Sequence, residues 1–273
     1  MVASNLILPN IRKFLVPDPD YLIVDVDLSG ADAQVVAWEA DDENLKAAFR
    51  SGVKIHIKNA RDMYPDEIGG MTDEEIKKSP IYETNKVTVH ALNYYGTPKG
   101  VAPRVGRTTR QIENFQRKWF GLHPGIPRWH DRTLRHLEGS ECWSCRTPAT
   151  VMERRCGACG VAMGRTIRNA FGYRRIYFER VGDSMLREAL AWVPQSTIAI
   201  VTQRGLLLLE DTYSFIEMLL QEHDALVFQI PKGEESTLPE IRTTLNSITV
   251  PYPDPLNIQW GLKWSNQSWG DCG

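Results

Sequence analysis

Residues 218–231 read MLLQEHDALVFQIP, and the fold turns on how that stretch is read. Two apolar runs flank a bare Glu222-His223-Asp224. Strand, polar tip and strand is the pattern of a β-hairpin. It sets a carboxylate, Asp224, at the tip of what reads as a buried hairpin. An Asp there is either a turn former, for its own backbone reasons, or a metal ligand. Taken alone, the turn reading is the stronger. A second acid in a like setting changes the balance.

That acid lies near the start of the chain. Residues 21–28, YLIVDVDL, form a nearly continuous apolar run that reads as a buried strand. The two-residue period puts Asp25 and Asp27 on one face, with Asp27 close to the strand's end. Two carboxylates far apart in sequence but adjacent in a sheet could hold two Mg²⁺ (or Mn²⁺) ions. Such a pair clamps the attacking and leaving oxygens of a phosphoryl transfer. Mg²⁺ asks for only one or two carboxylates beside substrate phosphates.

Between the two strands the pattern is helical. Ser29 is a candidate cap for a helix through Trp38, and Asp41 or Asp42 for one running to Gly52. A third helix is expected over residues 56–64, ended by Pro65. Thr72 with Glu75 and Thr108 with Gln111 spell helix starts. Further helices are expected over 83–94, closed by Gly96 and Pro98, and from Pro127 to Leu137. Two more, 183–192 and 197–209, are separated by Pro194. LNIQWGLKWS reads as a last strand. The expected class is α+β, with an antiparallel sheet built from the two ends of the chain.

With 273 residues there is ample length for a core, in one large domain or two small ones. The start lacks the order of a secretory signal and no apolar run spans a bilayer, so a cytoplasmic setting without membrane contact is expected. The net charge of -2 hides an asymmetry. Residues 99–180 carry 17 Lys/Arg, mostly Arg, against 6 Asp/Glu, a balance of +11 that leaves about -13 elsewhere. A polyanion such as nucleic acid suits that stretch; a solvated Arg-rich surface is the alternative.

KVTVHALNYYGTP, from Lys86, puts Lys86, His90 and Tyr94 at i, i+4 and i+8 on one helix face. A cation and two rings in line could meet a triphosphate, a sugar or base, and a base pair. The plainer alternative is an amphipathic helix with a polar stripe. At this point three motifs stand in order: IVDVDLSGADAQVVAWEADDENLKAAFRSGVKIHIKNA, K-x-x-x-H-x-x-N-Y with Gly and Pro, and QEHDALVF. Together they resemble family A DNA polymerases, the group of bacterial DNA polymerase I and many phage replicative enzymes. Arg187 with Pro194-Gln195, and GYRR at 172–175, are fainter matches.

The resemblance implies a right-hand polymerase palm with helical fingers. It implies a DNA-templated DNA polymerase working on primer-template DNA and dNTP in a bacterial or phage-infected cell. Asp27 and Asp224 would bind two metals. Lys86 would meet the triphosphate, Tyr94 would sit under the nascent pair, and His90 would take a place often held by an aromatic ring. Asp32 matches a Glu that blocks a ribose 2′-OH. Arg187, Gln195, His223 and Arg174 would contact the duplex or primer end. The chain departs from the pattern at Gly30, Gln34, Ala225 and Tyr95, and its Asp32 is the shorter acid. Only about twenty residues precede the first strand, so a thumb is expected to be absent, or supplied by a separate thumb- or exonuclease-bearing chain or a second copy.

Cys142-x₂-Cys145, ten residues, then Cys156-x₂-Cys159 is outside that pattern. Paired knuckles supply four thiolates to a tetrahedral Zn²⁺; two disulfides are the alternative. Cys272 is left over, and His56, His123, His130 and His136 read as structural or surface groups. The segments expected are 1–65 (palm, first part), 66–138 (fingers), 139–162 (zinc-knuckle insertion) and 163–273 (palm, second part). Two rival functions stand beside the polymerase. One is a non-catalytic nucleic-acid-binding subunit of a split enzyme; the other is a single-subunit RNA polymerase-like enzyme.

Overall fold

The computed structural model describes residues 10–142, 144–148, 155–161 and 163–272. The chain divides into two compact units: Met1–Ala31 with Ile198–Gly273, and Asp32–Thr197. This partition differs in grain from the four segments expected, because residues 32–65 and 163–197 cluster with 66–162.

In chain order the elements are β1 (Tyr21–Leu28), α1 (Ala31–Glu39), α2 (Glu43–Arg50), α3 (Ile55–Met63), α4 (Pro65–Ile68) and α5 (Asp73–Lys78). Then come α6 (Pro80–Asn93), α7 (Pro98–Val101), α8 (Thr109–Leu122), α9 (Gly125–Glu138), β2 (Thr166–Arg168) and β3 (Arg174–Ile176). The last are α10 (Asp183–Thr212), β4 (Glu217–Glu222), β5 (Ala225–Pro231), α11 (Leu238–Leu245), β6 (Thr249–Val250), β7 (Leu256–Asn257) and β8 (Trp260–Ser265).

The first unit is built on an antiparallel sheet of order β4-β5-β1-β8. Because β1 has a partner on each side, its apolar run is that of a central strand, and Ile23, Val24 and Val26 are fully buried. The hairpin at 217–231 forms, but only β5 is buried. β4 is the sheet edge, shifts register between Met218 and Leu220, and leaves Leu219 and Leu220 exposed. An edge strand buries less than its apolar count suggests, and a bulge turns it from further pairing. The later half of α10 packs on the same unit at Gly205, where a Cβ would stand 3.0 Å from the Trp260 ring.

The second unit is helical, and its caps follow the sequence. Both capping boxes are present, and Asp42 caps α2. Asp42 does more than cap. Buried, it accepts from the Leu45 and Gly125 N–H groups at 3.0 and 2.9 Å and lies 3.2 Å from His123 Nδ1. Burial alone would raise its carboxyl, but those hydrogen bonds hold it below the usual range. At Gly125 a Cβ would come 2.7 Å from Asp42, so the residue opening α9 must be bare.

Several boundaries differ from expectation, and the single last strand expected over residues 256–265 is two, β7 pairing with β6 and β8 with β1. α1 starts at Ala31, after Gly30 at φ +60°, not directly beyond Ser29. Pro65 opens α4 instead of merely ending α3, a position where its missing N–H costs nothing. α6 begins at Pro80, behind a Ser79 cap, so Tyr94 is its C-cap. α10 runs unbroken through Pro194. Proline inside a helix costs about 3 kcal/mol; here Leu186, Leu190, Val193, Ile198, Val201 and Leu209 are buried along the same helix and outweigh it. Among the described residues no helix is long and apolar enough to cross a membrane.

Candidate active site

Backbone pairing brings Asp27 and Asp224 together. Asp27 stands opposite Ala225 on β5 and Gly261 on β8. Asp224 is the second residue of the two-residue β4–β5 turn, and its carbonyl accepts the Leu28 N–H at 3.1 Å. Both carboxylates therefore sit at the same end of neighbouring strands, each half-buried. The turn is bought with strain: exposed His223 has φ +52°, a left-handed conformation uncommon for a residue with a side chain.

The two acids of β1 have separate fates. Asp25 accepts from Trp269 Nε1 at 2.9 Å, while its other oxygen is buried without a partner. Asp27 Oδ1 packs directly over Gly261, where a Cβ would come 2.7 Å from it, so only glycine lets the carboxylate lie there. Two carboxylates, hard oxygen donors on adjoining backbone, fit a divalent cation such as Mg²⁺.

In the second unit a different cluster forms around Asp32, in the first turn of α1. Tyr94 donates its phenol to Asp32 Oδ1, and His90 Nδ1 lies 3.3 Å from Asp32 Oδ2. The two rings meet edge to face, centroids 4.9 Å apart. Burial, reinforced by the Asp32 charge, lifts the Tyr94 phenol well above 10, so it stays protonated and donating. Lys86 is exposed one turn before His90 on α6.

His56, on α3, reads from the sequence as a structural or surface group. Its Nδ1 is buried without a hydrogen-bond partner, and its pKa is lowered by burial and then by the Lys86 charge. Two further buried acceptors on the facing helices, Asn59 Oδ1 and Asn85 Oδ1, also lack partners. The only sequence-level hint was the i, i+3 spacing of His56 and Asn59 ahead of Lys86. By contrast His123, His130 and His136 are buried and bonded, as structural histidines are. Arg187 and Gln195 are exposed on α10, and Arg174 is exposed on β3.

The four cysteines converge: their sulfurs all lie within 4.8 Å of one another. Cys142 and Cys159 are 3.6 Å apart, Cys145 and Cys156 3.5 Å. The two knuckles repeat one geometry. Cys142 accepts from the Arg146 N–H and donates its own N–H to Thr147; Cys156 does the same with Gly160 and Val161. In each, the residue after the second cysteine is left-handed, Arg146 at φ +59° and Gly160 at φ +71°. The middle of the spacer, residues 149–154, lies outside the described residues.

The fold is that of a polymerase domain. The POL domain of Pol1 from M. smegmatis, solved in complex with DNA primer-template and dNTP, superposes with a TM-score of 0.74 at 18% identity, covering 96% of this chain and 42% of that one. The sequence matches DNA polymerase family A over residues 5–266, and the chain belongs to that family. DNA polymerase I of Caldicellulosiruptor bescii is 24% identical over 257 residues, 93% of this chain and 28% of the relative. DNA polymerase I of Geobacillus stearothermophilus is 25% identical over 259 residues, 93% of this chain and 27% of the relative. The chain thus spans little more than a quarter of the curated relatives it matches. The three motifs that suggested the family fall inside the matched region, its palm-and-fingers portion.

Proposed function

We propose that the chain is a DNA-templated DNA polymerase that adds a nucleotide from a dNTP to a primer 3′-OH. The observation that carries this is the Asp27–Asp224 pair that the β1–β5 register sets on adjoining strand ends, in a family A chain. Divalent cations on those carboxylates would supply Lewis-acid stabilisation of the charge on the transferred phosphoryl group. Lys86 gives an ammonium for the triphosphate, and His56, a neutral imidazole beside it, a further polar contact. Asp32 is fixed by two rings, which makes it a rigid carboxylate suited to checking the sugar. Arg187, Gln195, His223 and Arg174 are exposed side chains for the duplex and primer end.

Primer extension by the purified chain, with dNTP or NTP and with Mg²⁺ or Mn²⁺, tests this. Templated, metal-dependent dNTP incorporation is expected. Duplex binding without incorporation would instead make the chain a non-catalytic subunit, and a preference for NTP would make it an RNA polymerase.

The four cysteines would hold one structural Zn²⁺. Tetrahedral thiolates at about 2.3 Å from zinc stand about 3.8 Å apart, close to the 3.6 and 3.5 Å pairs here and far from a disulfide's roughly 2.05 Å. The Thr147 hydroxyl and N–H hold the Cys145 thiol down at about 6. The Val161 N–H pulls Cys159 the same way, but burial and the neighbouring thiols carry it up to about 12. Four crowded thiols resist joint ionisation, and a divalent cation removes that obstacle. Elemental analysis should find one zinc per chain, lost in Cys145→Ser; a metal-free protein with two disulfides would refute the assignment.

A further inference from the structure

The β2–β3 hairpin was not foreseen from the sequence, and its two faces differ. On one face Ile167 and Tyr177 are buried, and Arg175 pairs with Glu188 on α10 and lies over the Tyr177 ring at 5.2 Å. The ladder runs past β3, since the Tyr177 N–H donates to Arg165 O at 2.8 Å. By the two-residue period, Arg174, Ile176 and Phe178 then share the opposite face. That face is bare: Phe178 is 84% exposed and Ile176 47%. Tyr173, in the connecting loop, is 59% exposed.

The loop is held open by one buried side chain. Asn169 Oδ1 accepts the Phe171 and Tyr173 N–H groups at 3.1 and 3.0 Å, and its amide donates to Ser196 Oγ at 3.1 Å. Tyr173 is thus presented on a built turn, not on a loose one.

Charge supplies a second, independent observation. Arg168 and Arg174 are direct cross-strand partners. Like charges opposite each other destabilise a strand pair, and a bound anion would relieve this pair. Residues 163–182 hold five Arg and one Glu, so the hairpin segment is itself strongly basic.

We propose that this face, Arg168, Tyr173, Arg174, Ile176, Phe178 and Arg180, binds single-stranded DNA, as the unpaired template strand. Bases stack on Tyr173 and Phe178, and phosphates sit against the arginines. Cations alone would serve a duplex equally well. Exposed rings serve only bases whose faces are free, because paired and stacked bases offer none. Stacking on the rings accepts any base and the arginines meet phosphates, so binding is tolerant of sequence. Naming the strand as template rests on the polymerase reading; the affinity for unpaired DNA does not.

The test is fluorescence anisotropy of the full chain with a labelled oligo(dT) and with a blunt duplex, at fixed salt. Phe178→Ser and Tyr173→Ser should each weaken oligo(dT) binding about 5- to 150-fold and leave the blunt duplex within twofold. Arg174→Gln should weaken both and lower the salt slope on oligo(dT) by about 0.7. Circular dichroism checks folding, and Phe178→Tyr, which keeps the ring, should restore binding. Unchanged oligo(dT) affinity in both Ser variants overturns the proposal. So does an equal loss on the blunt duplex, or a chain whose self-association falls with Phe178→Ser while DNA binding does not. Single-nucleotide incorporation opposite a one-base overhang, which offers the hairpin no free strand, reads the polymerase proposal separately.

Discussion

The sheet and the α1–α6 cluster place their acids by different means. Asp27 and Asp224 are positioned by backbone: a ladder register, a two-residue turn and one Leu28 N–H to the Asp224 carbonyl. Asp32 is positioned by side chains, a phenol and an imidazole from a helix some sixty residues away. A ladder fixes where a carboxylate emerges from the sheet. A side-chain network fixes the oxygens themselves. The first arrangement suits a ligand set that must accept cations; the second suits a rigid wall.

By that contrast, removing charge in the sheet should be felt in chemistry and hardly in folding. Asp27→Asn and Asp224→Asn should each cut extension about 10³-fold or more, as expected when several kcal/mol of charge stabilisation is lost, with an unchanged thermal midpoint. Wild-type-like extension by either variant breaks the assignment.

Gly261→Ala probes the same site without touching a charge. A methyl 2.7 Å from Asp27 Oδ1 must move one or the other. Extension should fall about 10- to 100-fold, with about 1–3 kcal/mol lost from stability by chemical denaturation. Unaltered extension would mean that the seat of the Asp27 carboxylate over Gly261 does not matter.

In the side-chain cluster, Tyr94→Phe removes one donor from Asp32 and keeps the ring. About 1–2 kcal/mol of stability should be lost. Extension assays should show a several-fold higher KM for dNTP and weaker discrimination against NTP, with kcat little altered. A change in kcat alone would place Tyr94 in the chemistry instead.

The smallest effect is in pH. His56 and His130 both have pKa values lowered from 6.5, in each case chiefly by burial. Below 6.5 the unfolded chain takes up protons that the folded chain refuses, so stability falls as pH falls. The contribution is whole above about 6.5 and is lost as pH drops through the folded values. Thermal melts from pH 7.5 to 5 should fall, and His130→Gln should flatten the curve, by no more than about 1–2 kcal/mol at pH 5.

What could be read from the sequence follows the same division. β1 is found at the residues its apolar run suggested, and both capping boxes and the Asp42 cap form, because period and capping act within a few residues. The His223-Asp224 turn was legible for the same reason. The Asp32–Tyr94–His90 bonds were not, since nothing local says which distant ring a carboxylate will meet. Nor was the triple use of Asp42, or the partnerless His56 nitrogen. The break expected at Pro194 failed because a buried apolar face outweighs one lost hydrogen bond. β2 and β3, three residues each, fell below the length at which alternation can be told from chance.

The neck of the cysteine segment has one more consequence. His136 lies with Nδ1 3.2 Å from Glu141 O and Nε2 2.5 Å from Thr166 O, so one ring touches the chain as it leaves and as it returns. At the same point a Cβ on Gly139 would stand 3.8 Å from the Gly164 Cα. A segment whose ends meet imposes no separation on its host. It behaves as a cartridge: 24 residues, 140–163, could be excised by joining Gly139 to Gly164, or exchanged for another loop of any length whose ends close as tightly.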